Sequence, residues 1–235
     1  MKVRSILKRA GIATAVAGVI TAGLWAANDA AAMGRGGTRT YEIAVTNLTR
    51  GQVMSPPLVV AHTDDMAPLW RGGAPASNGL AAIAEDADAS VLMGALDGAD
   101  GVISVTSATG PIPPGMTGTI TIEVRGRGTM VSLVAMLVQT NDAFVGARSL
   151  ALPRGKGSSR ALMSQSPAYD AGTEENNEDG AFIPGPPFGN GGVRATEGAE
   201  GFVHVHAGVH GIADLAPEIY DWRNPTASIR ITRVN

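Results

Sequence analysis

The chain contains no cysteine among its 235 residues. That absence excludes disulfide bonds, thiolate catalysis, a cysteine-linked lipid anchor and every zinc site that depends on cysteine. The folded protein must therefore be stabilised by its apolar core, which a bound metal ion can reinforce.

Positive charge is also scarce, since 18 Lys and Arg stand against 21 Asp and Glu and the formal net charge is -3. A nucleic-acid-binding face needs basic residues for the phosphates, so we expect no nucleic-acid partner. The sequence has no Gly-x-Ser-x-Gly nucleophile motif, no phosphate-binding loop and no dinucleotide fingerprint. These absences favour a binding protein over an enzyme, with cations or neutral molecules as ligands.

One long apolar run is present, at residues 10–27, and four basic residues precede it. Ala30-Ala31-Ala32 follows with the small side chains of a secretory cleavage site. We interpret residues 1–32 as a signal peptide and residues 33–38 as a flexible leader. An uncleaved membrane anchor is the alternative, although the run is short for a span and rich in Ala and Gly. We expect an exported mature form, periplasmic or extracellular, that does not span a membrane.

Eight short segments carry the apolar alternation or the short apolar runs of β-strands. They are residues 39–49, 58–62, 102–107, 119–125, 130–138, 144–152, 201–206 and 227–234. With 31 Gly and 14 Pro supplying turns and no internal repeat, residues 39–235 are predicted to form one domain. The expected fold is all-β, an eight-stranded antiparallel β-sandwich with a short helical insertion.

The insertion is predicted within residues 66–96. Ser77 or Asn78 can cap a first helix, with Leu80, Ile83 and Ala84 on its apolar face. Asp86 or Asp88 can cap a second helix, with an apolar face formed by Val91, Leu92 and Ala95.

Residues 119–125 and 130–138 are interpreted as a hairpin around Gly126-Arg127-Gly128. The second arm is almost wholly apolar, which predicts a central strand buried on both faces. Glu123 lies near the tip of this hairpin and Asp142 lies beyond its far end. At roughly 3.3 Å per residue the two carboxylates cannot share a cation.

Two acidic turns contain the candidate metal ligands. Asp142 follows the apolar arm, and Asp170 stands in Tyr169-Asp170-Ala171-Gly172-Thr173, where Gly172 permits a sharp turn; Glu174 comes next as a weaker candidate. Carboxylates and free carbonyls at strand ends are typical ligands of Ca²⁺. The alternative is that both aspartates only bond their own backbone in Asx turns.

Three of the four histidines lie within seven positions, at His204, His206 and His210. Residues i and i+2 of a strand face the same side, so His204 and His206 can hold one Zn²⁺ or Cu²⁺, with His210 as a third ligand. The alternative is a structural role, with the rings bonded to Asp214 or Asp221.

The ordered motifs resemble the amino-terminal domain of the spondins, a family of extracellular-matrix and adhesion proteins whose domain also occurs in exported bacterial proteins. The matching segments are Leu69-Trp70-Arg71, Ser77-Asn78-Gly79-Leu80, Ala84-Glu85, Val131-Ser132-Leu133, Asp142-Ala143-Phe144-Val145-Gly146, Ser149-Leu150 and Tyr169-Asp170-Ala171-Gly172-Thr173.

The resemblance covers about residues 39–234 and implies an eight-stranded antiparallel sandwich with a cation held at one end. It places Asp142 and Asp170 on the family's metal-binding aspartates, and Glu123 on a glutamate associated in animal members with integrin binding. That integrin role is not expected here. The absence of cysteine departs from the animal members, and the segment around His204 and His206 resembles the bacterial branch.

The leading hypothesis is therefore an exported, calcium-binding β-sandwich that acts without catalysis as an adhesion or matrix-like module, with a protein or glycan partner at the cell surface. Its rival is a periplasmic metalloprotein or metalloenzyme that uses the His-x-His site. A plainer reading is a structural surface protein whose cation only stabilises loops.

Overall fold

The structure is a computed structural model that describes residues 37–235. The signal peptide expected at residues 1–32, and most of the leader expected at 33–38, lie outside the described residues. Residues 37 and 38 have no regular secondary structure.

The described part of the chain contains ten strands in two antiparallel sheets. The strands are β1 (Arg39–Asn47), β2 (Leu58–His62), β3 (Val102–Ser107), β4 (Thr117–Val124), β5 (Met130–Met136), β6 (Ala143–Ala151), β7 (Leu162–Ser166), β8 (Ala168–Asp170), β9 (His204–Val205) and β10 (Ala227–Arg233). One sheet has the order β4-β1-β10-β7 and the other β3-β2-β5-β6-β8-β9. The predicted all-β sandwich is confirmed, with two more strands than the eight expected.

Two apolar layers hold the fold together. The first lies between the sheets, where alternate side chains of β1 (Tyr41, Ile43 and Val45) are fully buried. The second lies on the outer face of the six-stranded sheet, beneath the helices. Strand β5 serves both layers, because Leu133 belongs to the first and Val134 to the second. The prediction of a central strand buried on both faces is confirmed.

The helical insertion covers that outer face. It consists of α1 (Asn78–Asp86), whose first turn is capped by the Ser77 hydroxyl, and α2 (Ser90–Leu96). A third short helix, α3 (Pro217–Tyr220), lies between β9 and β10. The predicted face of α1 is buried, whereas α2 buries Leu92 and Leu96 and exposes Val91. The periodicity of so short a helix did not determine which of its sides meets the sheet.

The prediction that residues 119–125 and 130–138 pair as a hairpin is wrong. Strand β4 pairs with β1, whereas β5 pairs with β2 and β6, so the turn after β4 crosses from one sheet to the other. Local alternation and a Gly-rich turn are common to hairpins and to connections between sheets, and only the partner strands distinguish them. Glu123 still lies at the end of β4, with 62% of its side chain exposed, and Asp142 lies beyond the far end of β5.

Strand β7 is not among the eight predicted strands. Strand β7 pairs with β10 at the edge of the four-stranded sheet, and its Met163 is 62% exposed. An edge strand has one neighbour and a solvated face, so its sequence lacks the apolar signal of an inner strand.

Among the described residues, none of the helices has the length and apolar character required to cross a membrane.

Gly146 allows β6 to lie against β5 and the indole of Trp70. A Cβ at this position would lie 2.4 Å from the Leu133 carbonyl oxygen and 2.7 Å from Trp70 Cη2. We expect Gly146→Ala to lower the free energy of unfolding by about 1–3 kcal/mol, because the crowded atoms are backbone and a buried ring. Urea unfolding measures this change.

Gly94→Ala is the matched control, since its Cβ would meet nothing within 4 Å on the exposed side of α2. This substitution should raise stability by up to roughly 1 kcal/mol through helix propensity. Equal effects of the two substitutions would contradict the close packing at Gly146.

Candidate metal centre

Three neighbouring strands of the six-stranded sheet bring acidic and histidine side chains to one end of the sandwich. Asp142 directly precedes β6, Asp170 ends β8 and His204 begins β9. The antiparallel register pairs Ala143 with Asp170, and Asp170 with His204. Residues far apart in the sequence therefore meet because directly opposed positions of adjacent strands share a face.

Asp142 is fully buried and its two oxygens have different surroundings. Oδ2 accepts hydrogen bonds from the backbone N–H of Thr173 (2.7 Å), the Thr173 hydroxyl (3.1 Å) and the backbone N–H of Glu174 (3.0 Å). Oδ1 has no hydrogen-bond partner among the described residues. A buried carboxylate oxygen without a partner costs free energy, so this atom is available to a ligand.

Asp170 is also fully buried. Its Oδ1 accepts the Gly172 N–H at 2.6 Å, and its Oδ2 accepts the Asn176 side-chain amide at 2.5 Å. Gly172 has a φ of 67°, and a Cβ there would lie 2.4 Å from the Phe202 carbonyl oxygen. The sharp turn expected at Gly172 is confirmed, and it brings the chain from residue 172 against the segment that leads into β9.

Glu174 is buried within the loop that follows β8, and neither of its oxygens accepts a hydrogen bond within the described range. The Arg194 Nε lies 3.5 Å from Glu174 Oε1, but it lies closer to Glu85 Oε2, at 2.6 Å. Arg194 also pairs with Asp86 at the end of α1. One guanidinium is thus shared by three carboxylates, which leaves Glu174 only partly neutralised.

The buried carboxylates hold protons more tightly than exposed ones. Burial raises the pKa of Asp142 to about 7, and the charge of Asp170 adds to the effect. Burial, with the charges of Glu85 and Asp142, raises the pKa of Glu174 to about 8. Burial raises the pKa of Asp170 as well. A cation at this end of the sheet would offset these effects by stabilising the ionised forms.

The three histidines have different surroundings. His206 is buried: its Nδ1 accepts the Gly208 N–H at 2.9 Å, and its Nε2 lies 2.9 Å from Asn176 Oδ1. Burial lowers the pKa of His206 to about 4, so the ring is neutral. His204 is half-buried, and its Nδ1 lies 3.8 Å from Asp170 Oδ1. His210 is exposed, and its backbone N–H donates to Glu178. The ring contacts of His204 and His206 go to Phe202, Asn176 and Gly208 rather than to Asp214 or Asp221.

Among the described residues, ligand atoms of Asp170, Glu200 and His204 all lie within 4.8 Å of one another. Asp142, Asp170 and Glu174 do not form so tight a group, nor do the three histidines. Sequence reasoning missed Glu200, which is exposed and lies in the loop before β9. Its only local signal is its position four residues before His204, in a loop with several other acids.

The residues at this end of the sheet fit a cation because their buried carboxylates are incompletely partnered. Asp142 Oδ1 is a buried acceptor without a hydrogen-bond donor among the described residues, and the buried carboxylate of Glu174 is only partly neutralised by Arg194. Asp170 adds further negative charge to this region. An all-oxygen donor set of this kind is suited to a hard cation such as Ca²⁺.

Two packed antiparallel sheets with carboxylates gathered at the strand ends define a β-sandwich domain with a candidate cation centre. The Spondin_N family model matches residues 49–178, more than half of the chain and a span that contains Asp142, Asp170 and Glu174. The chain therefore belongs to the spondin amino-terminal domain family.

Two relatives agree with this assignment. The chain is 35% identical to Spondin-2 of Homo sapiens over 122 residues, and 33% identical to Spondin-2 of Rattus norvegicus over 121 residues. Each match covers 50% of this chain and 36% of the relative, so the chain spans about a third of the length of the relatives it matches.

We expect the metal-free protein to lose stability between pH 6.5 and 8. A carboxyl whose folded pKa is raised stabilises the fold fully below its unfolded pKa, and this contribution is lost as pH rises through the folded pKa, here about 7 for Asp142 and about 8 for Glu174. His206 acts oppositely, with a pKa lowered from 6.5 to about 4, but its contribution is complete above pH 6.5. Each group contributes at most about 1.4 kcal/mol per pH unit.

Urea unfolding in the presence of a chelator, at pH 6.5 and 8.0, measures the slope of the free energy of unfolding against pH. Asp142→Asn and Glu174→Gln should each flatten it, and Glu123→Gln, at the opposite end of the sandwich, should leave it unchanged. A metal-free protein equally stable at both pH values would contradict the burial of ionisable carboxylates.

Proposed function

We propose that this protein is an exported, calcium-binding adhesion or matrix-like module that acts without catalysis. The observation that carries the proposal is the buried, unpartnered oxygen of Asp142, together with Asp170 and the partly neutralised carboxylate of Glu174, at one end of a spondin-family sandwich. Asp142 and Asp170 would hold the ion, with Glu174 as a weaker ligand.

Calcium suits these residues better than a softer metal does. Ca²⁺ takes six to eight oxygen ligands in flexible geometry, and carboxylates together with loop carbonyls provide them. The bound charge would hold Asp142, Asp170 and Glu174 ionised and would link the start of β6 to the loop after β8. The expected result is an ordered set of loops at this end of the sandwich.

The adhesion role is supported by three features together. The amino terminus has the pattern of an export signal, the chain lacks the nucleophile and phosphate-binding motifs, and its family contains matrix and adhesion proteins. The partner would be a protein or glycan at the cell surface.

The rival function, a periplasmic metalloprotein or metalloenzyme with a His-x-His site, has less support. Both ring nitrogens of His206 already have partners, and His210 is exposed outside the cluster. Among the described residues, His204 is the one histidine of the three that belongs to a tight group of ligand atoms, together with Asp170 and Glu200.

Calcium should stabilise the protein and should bind through Asp142. At a hundredfold excess over its Kd, a ligand specific to the folded state adds about 2.7 kcal/mol to the free energy of unfolding. We expect Asp142→Asn and Glu174→Gln each to weaken Ca²⁺ binding by roughly tenfold or more in calorimetric titrations.

Glu123→Gln is the control for these titrations, because it removes an exposed carboxylate at the opposite end of the sandwich. Absence of calcium binding by the wild-type protein, or equal binding by wild type and Asp142→Asn, would refute the calcium site.

The adhesion role predicts calcium-dependent retention of the purified protein on cells or matrix. Binding should fall when EGTA is added and should fall in Asp142→Asn, because the loops at the cation end lose their order. Protease treatment and glycosidase treatment of the cells distinguish a protein partner from a glycan. Stabilisation by calcium without any calcium-dependent binding would instead support a purely structural ion.

A further inference from the structure

A second group of ligand atoms lies beside the carboxylates discussed above, and it includes a nitrogen. Asp170, Glu200 and His204 each place one ligand atom within 4.8 Å of the others. The register of β8 and β9 makes Asp170 and His204 directly opposed partners, and Glu200 arrives from the loop that enters β9. Their convergence therefore follows from the sheet.

The distances suit one small ion between the side chains. Asp170 Oδ1 and His204 Nδ1 are 3.8 Å apart, too far for a hydrogen bond. Bond lengths of about 2.0–2.2 Å to a tetrahedral Zn²⁺ place neighbouring donors roughly 3.3–3.6 Å apart, so a small inward movement of Asp170 and His204 brings this pair to that separation. The Nδ1 contact with the Phe202 carbonyl, at 3.3 Å, is long and easily replaced.

Neighbouring residues orient these ligands. The side-chain amide of Asn176 donates to Asp170 Oδ2 at 2.5 Å and to Glu200 Oε1 at 3.3 Å, so one amide holds both carboxylates. The Asn176 Oδ1 in turn lies 2.9 Å from Nε2 of the buried His206. His206 thus positions the amide, and hydrogen-bonded supports of this kind are typical of metal sites.

Among the described residues, no lysine or arginine side chain neutralises the two carboxylates of this group. Within residues 37–235, neither Asp170 nor Glu200 has a Lys or Arg nitrogen within 4.0 Å. Asp170 is fully buried, whereas His204 is half-buried and Glu200 is exposed, so a hydrated ion can enter from the Glu200 side. Three protein ligands leave a fourth position for water or a partner's side chain.

We propose that Asp170, Glu200 and His204 form a zinc site on the rim of the domain. Asp170 is common to this site and the proposed calcium site, whereas Asp142 and Glu174 belong to the calcium site alone. An imidazole nitrogen is a favourable ligand for Zn²⁺, whereas Ca²⁺ takes oxygen ligands. The imidazole of His204 therefore gives this group a different metal preference from that of its all-oxygen neighbours.

Calorimetric titration of the chelator-stripped full chain with ZnCl₂, in saturating calcium, tests the proposal. We expect one zinc per chain in the wild type. Glu200→Gln and His204→Gln should each weaken zinc binding by at least about tenfold while Ca²⁺ affinity stays unchanged. Asp142→Asn should have the opposite pattern, with calcium binding weakened by roughly tenfold or more and zinc binding retained.

Glu197→Gln and His210→Gln are matched controls, because each removes an exposed side chain of the same type from the same segment. Cobalt substitution gives a second readout: the visible absorption of bound Co²⁺ should change in His204→Gln and should not change in His210→Gln. Circular dichroism of the metal-free variants confirms that they fold.

Three results would overturn the zinc site. The first is no zinc binding by the wild type, and the second is equal losses in the controls. The third is zinc binding that survives in Glu200→Gln and His204→Gln but is lost in Asp142→Asn, since zinc would then only be occupying the calcium ligands. Failure of calcium binding with zinc binding retained would refute the calcium proposal alone.

Discussion

Burial of three carboxylates at one end of a sheet is the constraint around which the loops of this domain are built. Removing an ionised carboxylate from water is costly unless hydrogen bonds, a counter-charge or a cation replace the solvent. Asp142 receives three hydrogen bonds on one oxygen, Asp170 receives one on each, and Glu174 shares the guanidinium of Arg194 with two other acids. A bound cation would supply the positive charge that these partners do not provide.

The six-stranded sheet provides the rigid base for this arrangement. Its central strands are covered on one face by the other sheet and on the opposite face by α1 and α2. Phe144 and Tyr169, on adjacent strands, stack with ring centroids 5.4 Å apart beneath Trp70. Directly beside this stacked pair, Ala143 and Asp170 are opposed in the register, so the aromatic packing also holds the ends of β6 and β8 next to Asp142 and Asp170. Sites carried by packed strands are more rigid than sites carried by free loops.

Several elements could be predicted because their signal is local. The two-sided apolar pattern of β5, the capping hydroxyl of Ser77 and the glycine turn after Asp170 each depend on a few consecutive residues. The partners of β4 and β5 could not be predicted in this way, since a turn between alternating segments has the same sequence whether the strands pair or diverge. Strand β7 was missed for a related reason, because an edge position requires little apolar character.

In the candidate metal centre, too, local features could be predicted from the sequence and long-range contacts could not. The sequence alone determined the all-β class, the acidic turns that contain Asp142 and Asp170, and the clustering of histidines, because each follows from composition, periodicity or short-range spacing. Only the tertiary structure decided which of these side chains meet. The register of β8 against β9 joined His204 to Asp170, and the long loop before β9 brought in Glu200. The same chain path buried His206 against Asn176 and left His210 outside. Those contacts depend on strand pairing and loop paths over tens of residues, which local spacing does not encode.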